Sequence, residues 1–112
     1  VIVFNAYYIP EYMRSEKSRH YIDLEKMENN LIIHGDKILE EVKAKLENEN
    51  IRVSTALTNG PAGISIVNKA AEEKCDLVIL GTRGMKNISN PLISSVSNFV
   101  IHNAKCSVLL VQ

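Results

Sequence analysis

Short apolar runs rich in β-branched residues alternate along this chain with longer stretches in which apolar residues recur at helical spacing. The order is strand, helix, strand, helix, strand, helix, strand. Strands alternating with helices pair in parallel, because each helix carries the chain back along the sheet before the next strand. The pattern predicts an α/β fold, an open, doubly wound parallel sheet with helices on both faces. Predicted strands are Val1 to Tyr8, Ile51 to Leu57, Leu77 to Leu80 and Ser107 to Val111; predicted helices run from about Leu24 to Glu49, from Pro61 onward, and from about Ser95 to Asn103.

The apolar positions of each element predict which of its faces is buried. Leu77 to Leu80 is wholly apolar, which is typical of a strand covered on both faces. Polar residues interrupt Ile51 to Leu57, and this favours a half-exposed edge position. Each helix has one apolar face. These faces consist of Leu31, Ile38, Val42 and Leu46 in the first helix, Ile64, Val67 and Ala71 in the second, and Val96, Phe99 and Val100 in the third.

Size and charge exclude several classes of protein. The 112 residues, 46% of them hydrophobic, suffice for one compact domain and are too few for two, so 1–112 is predicted to be one domain. Thirteen basic residues balance thirteen acidic ones, which argues against a nucleic-acid or anionic-membrane surface. No apolar run approaches the roughly 20 residues that span a bilayer. We expect no signal peptide, and hence a cytoplasmic protein.

The remaining reactive side chains show no arrangement typical of catalysis or of a metal site. Cys75 and Cys106 form no CxxC pair, and we interpret them as small buried hydrophobic residues in preference to a disulfide. Tyrosines near the N-terminus are interpreted as aromatic packing under a loop, with a partner-binding patch as the alternative. Acidic residues of the first helix are interpreted as a solvated face. These two sets are Tyr7, Tyr8, Tyr12 and Tyr21, and Asp23, Glu25, Glu28 and Asp36.

The last predicted strand, Ser107 to Val111, is as apolar as an interior strand. At the edge of a sheet it would present an unpaired ladder able to join another strand. We therefore hypothesise a homodimer in which this strand pairs with its copy in a second chain.

The loop after the third strand is the most informative segment for function. It begins Gly81-Thr82-Arg83-Gly84, and Ser94 with Ser95 opens the next helix. Ligands of open α/β sheets bind outside the carboxyl ends of the strands. Glycines let the backbone approach an anion closely, and the N–H groups at a helix N-terminus favour phosphate. These residues alone are also compatible with a simple tight turn. No Walker loop follows, because the glycines lack a Gly-Lys-Ser/Thr sequence.

Several motifs in this order resemble the universal stress protein family. From Asn59 the chain reads NGPAGISIVNKAAEEKCDLVILGTRG, and further on SSVSNFVIHNAKCSVLLV. The family carries a Gly-x-Pro-Ala helix start, an Asp-Leu-Val-Ile-Leu-Gly-like strand and a Gly-x2-Gly-x9-Gly-Ser/Thr nucleotide motif. The resemblance implies a Rossmann-like sheet with strand order 3-2-1-4-5 and binding of an adenine nucleotide, ATP or AMP, possibly accompanied by Mg²⁺.

The resemblance also implies which residues contact the nucleotide. Gly81 and Gly84 match the first two motif glycines, Ser94 stands at the third, and Ser95 matches the motif Ser/Thr. Ala6 falls where nucleotide-binding relatives place a backbone contact to adenine. The other residues expected to line the site are Thr82, Arg83 and Val96.

The chain begins without methionine inside an apolar run, and we expect that the family's opening strand and helix have no counterpart in it. We expect an N-terminally incomplete universal stress protein domain. The preferred hypothesis is a dimeric, nucleotide-binding stress-response regulator that is not an enzyme. Nucleotide binding would shift the conformation of the loop Met85 to Ile93, and Lys86 would lie near the phosphates. Alternatives are a scaffold that binds no nucleotide, a slow nucleotide hydrolase, and a regulatory domain of a longer chain.

Overall fold

A computed structural model describes residues 1–14, 23–82 and 95–112, and its strands and helices alternate as the sequence predicts. The chain divides into two compact units, Val1–Pro61 and Ala62–Gln112. No helix in these ranges is long and apolar enough to cross a membrane. The strands are β1 (Ile2–Tyr7), β2 (Ser54–Asn59), β3 (Leu77–Gly81) and β4 (Ser107–Val111); the α-helices are α1 (Leu24–Asn48), α2 (Ala62–Glu72) and α3 (Ser95–Asn103); a short 3-10 helix, which the sequence pattern did not predict, covers Glu11–Arg14.

The strands form two parallel pairs, one in each unit. In the first unit β1 pairs with β2, beginning with Ile2 opposite Ser54. In the second unit β3 pairs with β4, beginning with Leu77 opposite Ser107. The expected order 3-2-1-4-5 counts the family's opening strand as strand 1, so β1 to β4 correspond to its strands 2 to 5. The two observed pairs are the neighbours 2-3 and 4-5 of that order. The parallel, α/β character of the prediction is therefore confirmed.

Helix α1 ends in a left-handed residue, and this ending shifts the strand that follows. Asn50 has φ 62°, and the Ile51 N–H donates to the Leu46 carbonyl at 3.1 Å. A left-handed residue followed by such a bond satisfies carbonyls that the helix leaves unpaired. Because Ile51 takes part in ending α1, β2 begins at Ser54 and not at Ile51 as predicted.

The buried face of α1 lies to one side of the predicted stripe. Leu39 is 2% exposed and Gly35 is buried, whereas Ile38 and Val42 are exposed. A Cβ at Gly35 would lie 2.9 Å from the Leu57 Cδ1 atom, so the helix backbone itself packs against β2 there. The prediction was wrong for Ile38 and Val42, because it ranked positions by side-chain hydrophobicity and so did not assign a residue without a side chain to the buried face.

Helix α2 is buried through its small residues. Gly63 and Ala70 are buried, while Ile64 and Ala71, which were predicted to be buried, are exposed. A Cβ at Gly63 would lie 2.9 Å from the Phe99 Cδ1 atom. Helices α2 and α3 therefore approach closely at Gly63, and the larger apolar side chains of α2 are displaced from this contact.

Helix α3 supplies the most deeply buried side chains of the second unit. Val100 and Ser97 are completely buried, Val96 is half-buried and Phe99 remains 37% exposed. The prediction placed Val96, Phe99 and Val100 on the buried face, and it is wrong for Phe99. The buried face centres on Ser97 and Val100, which lie three residues apart and hence on one side of a helix.

The β3–β4 pair is covered on one face only within the described residues. Along both strands exposed and half-buried residues alternate. Leu77 is 45% and Ile79 is 63% exposed, and Leu109 and Val111 are exposed to a similar extent. The expectation that Leu77 to Leu80 is covered on both faces is therefore wrong, since successive side chains point to opposite faces of a strand.

Candidate functional site

The turn after β3 is held by two hydrogen bonds. Gly81 is the last residue of β3, and its carbonyl accepts a bond of 2.9 Å from the Ser97 Oγ. The Thr82 N–H donates to the Val111 carbonyl at 3.0 Å, which extends the pairing with β4 by one residue. The backbone at the carboxyl end of β3 is therefore fixed by its neighbours β4 and α3.

Thr82 carries a buried hydroxyl without a partner. The residue is 5% exposed, and its Oγ1 atom makes no hydrogen bond to any residue in the described parts of the chain. An unsatisfied buried polar group costs about 1–3 kcal/mol. Next to a strand end that is fixed by hydrogen bonds, such a group marks a place where a ligand atom would lower the free energy.

Gly81 is not required by the local fold. Its φ angle is not positive, and a Cβ there would meet only the Val111 carbonyl oxygen, at an ordinary contact distance of 3.8 Å. The described residues therefore leave room for a methyl group at position 81.

The N-terminus of α3 lies in the same unit as this turn. Ser95 is the first helical residue and is exposed, and Val96 is half-buried. The helix has 9 residues, and the N–H groups of its first turn have no partner within the helix. Ser97, in this first turn, connects α3 to the Gly81 carbonyl.

The structure brings together only part of the predicted nucleotide-contacting set. Gly81, Thr82, Ser95 and Val96 all belong to the second unit, and Ala6 lies in β1 of the first unit. The predicted set did not include Ser97, although the three-residue spacing from Val100 could have indicated that it is buried. Arg83, Gly84 and Ser94, like Lys86 and the loop Met85 to Ile93, lie outside the described residues.

A second polar centre closes the carboxyl end of the β1–β2 pair in the first unit. The Glu28 Oε2 atom accepts hydrogen bonds from Tyr7 Oη and Arg14 Nη2, both at 3.1 Å, and from Asn59 Nδ2 at 3.4 Å. Tyr7 and Asn59 are the last residues of β1 and β2. Glu28 was interpreted as part of a solvated face, and that interpretation is wrong because three donors converge on its carboxylate.

The same environment affects Tyr7. Burial and the neighbouring Glu28 carboxylate raise the pKa of the Tyr7 phenol above its ordinary value, and the Arg14 guanidinium acts in the opposite direction. The phenol therefore stays protonated, as the donor to Glu28, into the alkaline range. The expected packing of aromatic side chains is wrong for Tyr8 and Tyr12, which are 53% and 72% exposed.

The described residues contain no group of three or more His, Cys, Asp or Glu that could hold a metal ion.

Comparison with known proteins decides the family. The model of the universal stress protein family matches residues 1–112. The chain belongs to the universal stress protein family. Membership of this family, which the motifs between Asn59 and Val111 predict, is therefore confirmed.

Universal stress proteins of bacteria and archaea are similar to this chain. Universal stress protein YxiE of Bacillus subtilis is 31% identical over 105 residues, which cover 94% of this chain and 64% of that protein. Universal stress protein MJ0531 of Methanocaldococcus jannaschii is 35% identical over 78 residues, covering 70% of this chain and 46% of that protein. The matched regions thus span between about half and two thirds of these relatives.

Solved structures of the family share the fold. Protein MJ0577 of Methanocaldococcus jannaschii superimposes with a TM-score of 0.81 at 24% identity, over 98% of this chain and 73% of that one. A universal stress protein in complex with cAMP gives a TM-score of 0.55 at 21% identity, over 99% of this chain and 71% of that one. The α/β class predicted from the alternation of strands and helices is confirmed, and so is its Rossmann-like character, which the family resemblance implies.

Proposed function

We propose that this universal stress protein domain binds an adenine nucleotide, ATP or AMP, at the turn after β3 and acts as a non-catalytic, cytoplasmic stress-response regulator. The observation that carries the proposal is the Thr82 hydroxyl, 5% exposed and without a hydrogen-bond partner among the described residues. It lies at the carboxyl end of a parallel strand, where ligands of open α/β sheets bind. A ribose hydroxyl or phosphate oxygen would complete its hydrogen bonding.

Two further features fit a nucleotide. The fold leaves room for a side chain at position 81, but the residue there is glycine. A residue without a side chain fits a ligand that approaches the backbone closely. Helix α3 begins at Ser95, and the free N–H groups of a first helical turn favour phosphate. A similar universal stress protein has been solved with cAMP, which is itself an adenine nucleotide. Since the described residues offer no cluster of metal ligands, the proposal does not extend to Mg²⁺.

The test is calorimetric titration of the protein with ATP and with AMP. Thr82→Val removes the hydroxyl and keeps the shape of the side chain, so we expect binding to weaken about three- to tenfold, the worth of one hydrogen bond. Thr58→Val makes the same chemical change in β2 and serves as the matched control. Gly84→Val extends the test to the second motif glycine, where the added side chain is expected to abolish binding.

The alternatives predict different titrations. The scaffold hypothesis predicts no binding at millimolar nucleotide, and that result would overturn the proposal. If nucleotide binds to the wild type and to Thr82→Val equally, the binding site lies elsewhere on the chain. The hydrolase hypothesis predicts product in a timed assay with purified protein. No described side chain in the turn is a general base, and we expect no product in this assay.

The proposal includes a homodimer formed through Ser107–Val111. Along β4 the side chains of Leu109 and Val111 are 49% and 50% exposed, and the pairing found for β4 uses one edge of the strand only. Unpaired edges with apolar side chains favour association with a second strand. Sedimentation at micromolar concentration tests this part separately, and a monomeric mass would contradict it. Leu109→Lys is expected to convert the dimer to monomer.

A further inference from the structure

The second unit contains a cavity at one end of the β3–β4 pair. This end is opposite to the turn after β3. Its volume is about 460 Å³, within the range of small-molecule sites. Lys74 and Cys75 lie ahead of β3, Lys105 and Cys106 lie ahead of β4, and all four line the cavity together with α2 residues such as Val67 and Ala70. Thr82, in contrast, follows the carboxyl end of β3.

Two thiols and two ammonium groups therefore share one concave surface. Both cysteines are free, and they are half-buried where the sequence predicts buried residues. Both lysines are exposed, and no described residue that lines the cavity is acidic. The lining thus carries two positive charges and no negative one, and its thiols are partly exposed.

The backbone around the first Lys-Cys pair is well fixed. Lys74 has φ 51° and its N–H donates to the Ala71 carbonyl at 3.2 Å. The Cys75 N–H donates to the Ala70 carbonyl at 2.9 Å. These two bonds form the left-handed ending of α2, which holds Cys75 at the cavity wall.

We propose that this cavity is a thiol-modification site for an anionic low-molecular-weight disulfide of the glutathione class. The thiolate of Cys75 or Cys106 attacks one sulfur of the disulfide, the sulfur–sulfur bond breaks, and a mixed disulfide forms on the protein. The other half leaves as a thiolate and takes up the proton that the cysteine lost. The protein thiol is oxidised and the leaving half is reduced, so electrons balance. Lys74 and Lys105 attract the carboxylates of the incoming molecule.

The experiment compares two disulfides of opposite charge on the reduced, folded protein. Glutathione disulfide is anionic and cystamine is cationic, and intact-mass spectrometry gives the initial rate of adduct formation for each. The quantity compared is the ratio of the rate with glutathione disulfide to the rate with cystamine. We expect this ratio to be about tenfold higher on the folded protein than on the urea-denatured chain, where the cavity does not exist. Added salt should reduce this preference, because it screens exposed charges.

Variants assign the preference to the cavity. Lys74→Gln combined with Lys105→Gln is expected to remove the charge preference, and Lys105→Gln alone to reduce it. Lys69→Gln is the matched control, because Lys69 lies in α2, close to Lys74 in the sequence, but pairs with Glu73 and does not line the cavity. Cys75→Ser and Cys106→Ser identify which thiol carries the adduct, and a thiol reductant should release it.

Several results would overturn the proposal. One is an equal preference in the folded and denatured chains, and another is a loss of preference in Lys69→Gln as large as in the cavity variants. An adduct that persists in a variant lacking both cysteines would also contradict it. Conversion of the wild type to an internal disulfide, with mixed disulfides accumulating only in the single-serine variants, would support it, because the second thiol then displaces the first adduct.

Discussion

The carboxyl ends of the two strand pairs are built in different ways. At the end of β1 and β2, the Glu28 carboxylate accepts three side-chain hydrogen bonds. At the end of β3 and β4, Ser97 and backbone bonds fix the turn, and the Thr82 hydroxyl remains buried without a partner in the described parts of the chain. Completed hydrogen bonds stabilise a fold, whereas an orphaned group is costly until a ligand satisfies it. The first end is suited to stability, and the second has the property expected of the proposed ligand site.

The largest effect is expected at the bond that fixes the second end. Ser97→Ala leaves the Gly81 carbonyl without its side-chain donor and removes a completely buried hydroxyl. We expect the free energy of unfolding to fall by about 2 kcal/mol. Urea denaturation measures it, with Ser54→Ala, at an exposed position of β2, as the control. A loss no larger than in the control would show that the turn does not depend on Ser97.

At the first end, Glu28→Gln tests whether the three bonds act as a stabilising centre. The substitution removes the charge and the ion pair with Arg14, whose side chain is 34% exposed. Partial exposure screens the charge, so we expect a loss of about 1 kcal/mol in urea denaturation at low salt, and less at high salt. Glu40→Gln, at an exposed position of the same helix, should change stability very little. Equal losses in the two variants would contradict a special role for Glu28.

Deletion of the Thr82 hydroxyl gives the sharpest contrast. It is expected to raise stability, whereas Ser97→Ala and Glu28→Gln are expected to lower it. Thr82→Val removes an orphaned hydroxyl and keeps the side-chain shape, so we expect the ligand-free protein to gain about 0.5 kcal/mol. Thermal unfolding without nucleotide measures it, with Thr58→Val as the matched control. Destabilisation of the size expected for Ser97→Ala would mean that the Thr82 hydroxyl already has a partner.

The smallest effect concerns alkaline pH at the first end. Because the pKa of Tyr7 in the folded state is raised above its ordinary value of 10.0, the contribution of Tyr7 to stability is fully present below pH 10. It is lost as the pH rises through the folded pKa. Tyr7→Phe should therefore be less stable than the wild type at neutral pH, and the difference should shrink in this alkaline range. A difference that is independent of pH would contradict the bond to Glu28.

Most of the fold could be predicted, because hydrophobic periodicity records burial directly. The alternation of elements, their parallel pairing and the family were confirmed. The predicted helix faces were wrong where contacts depend on missing side chains. Gly35 and Gly63 allow close packing against Leu57 and Phe99, and no hydrophobicity pattern assigns a buried centre to glycine.

The candidate site was less predictable, because its decisive property is an absence of hydrogen bonds. The motif led to Gly81 and Thr82, but only coordinates show that the Thr82 hydroxyl is buried and unsatisfied. The Glu28 centre was missed because its donors come from positions 14 to 31 residues away in sequence. Nucleotide contacts, including those of Ala6, Ser95 and Val96, stay predictions that titration must test.

The parallel registers also affect how the chain folds. β1 pairs with β2 through residues 52 positions apart (Ile2 and Ser54), and β3 pairs with β4 through residues 30 positions apart (Leu77 and Ser107). The entropy of loop closure grows only with the logarithm of loop length, so the two closures differ by about 0.5 kcal/mol. Neither strand pair has a large kinetic advantage from chain topology. We therefore expect the helices between the paired strands to influence the order in which the pairs form, and α1, at 25 residues, is longer than α3.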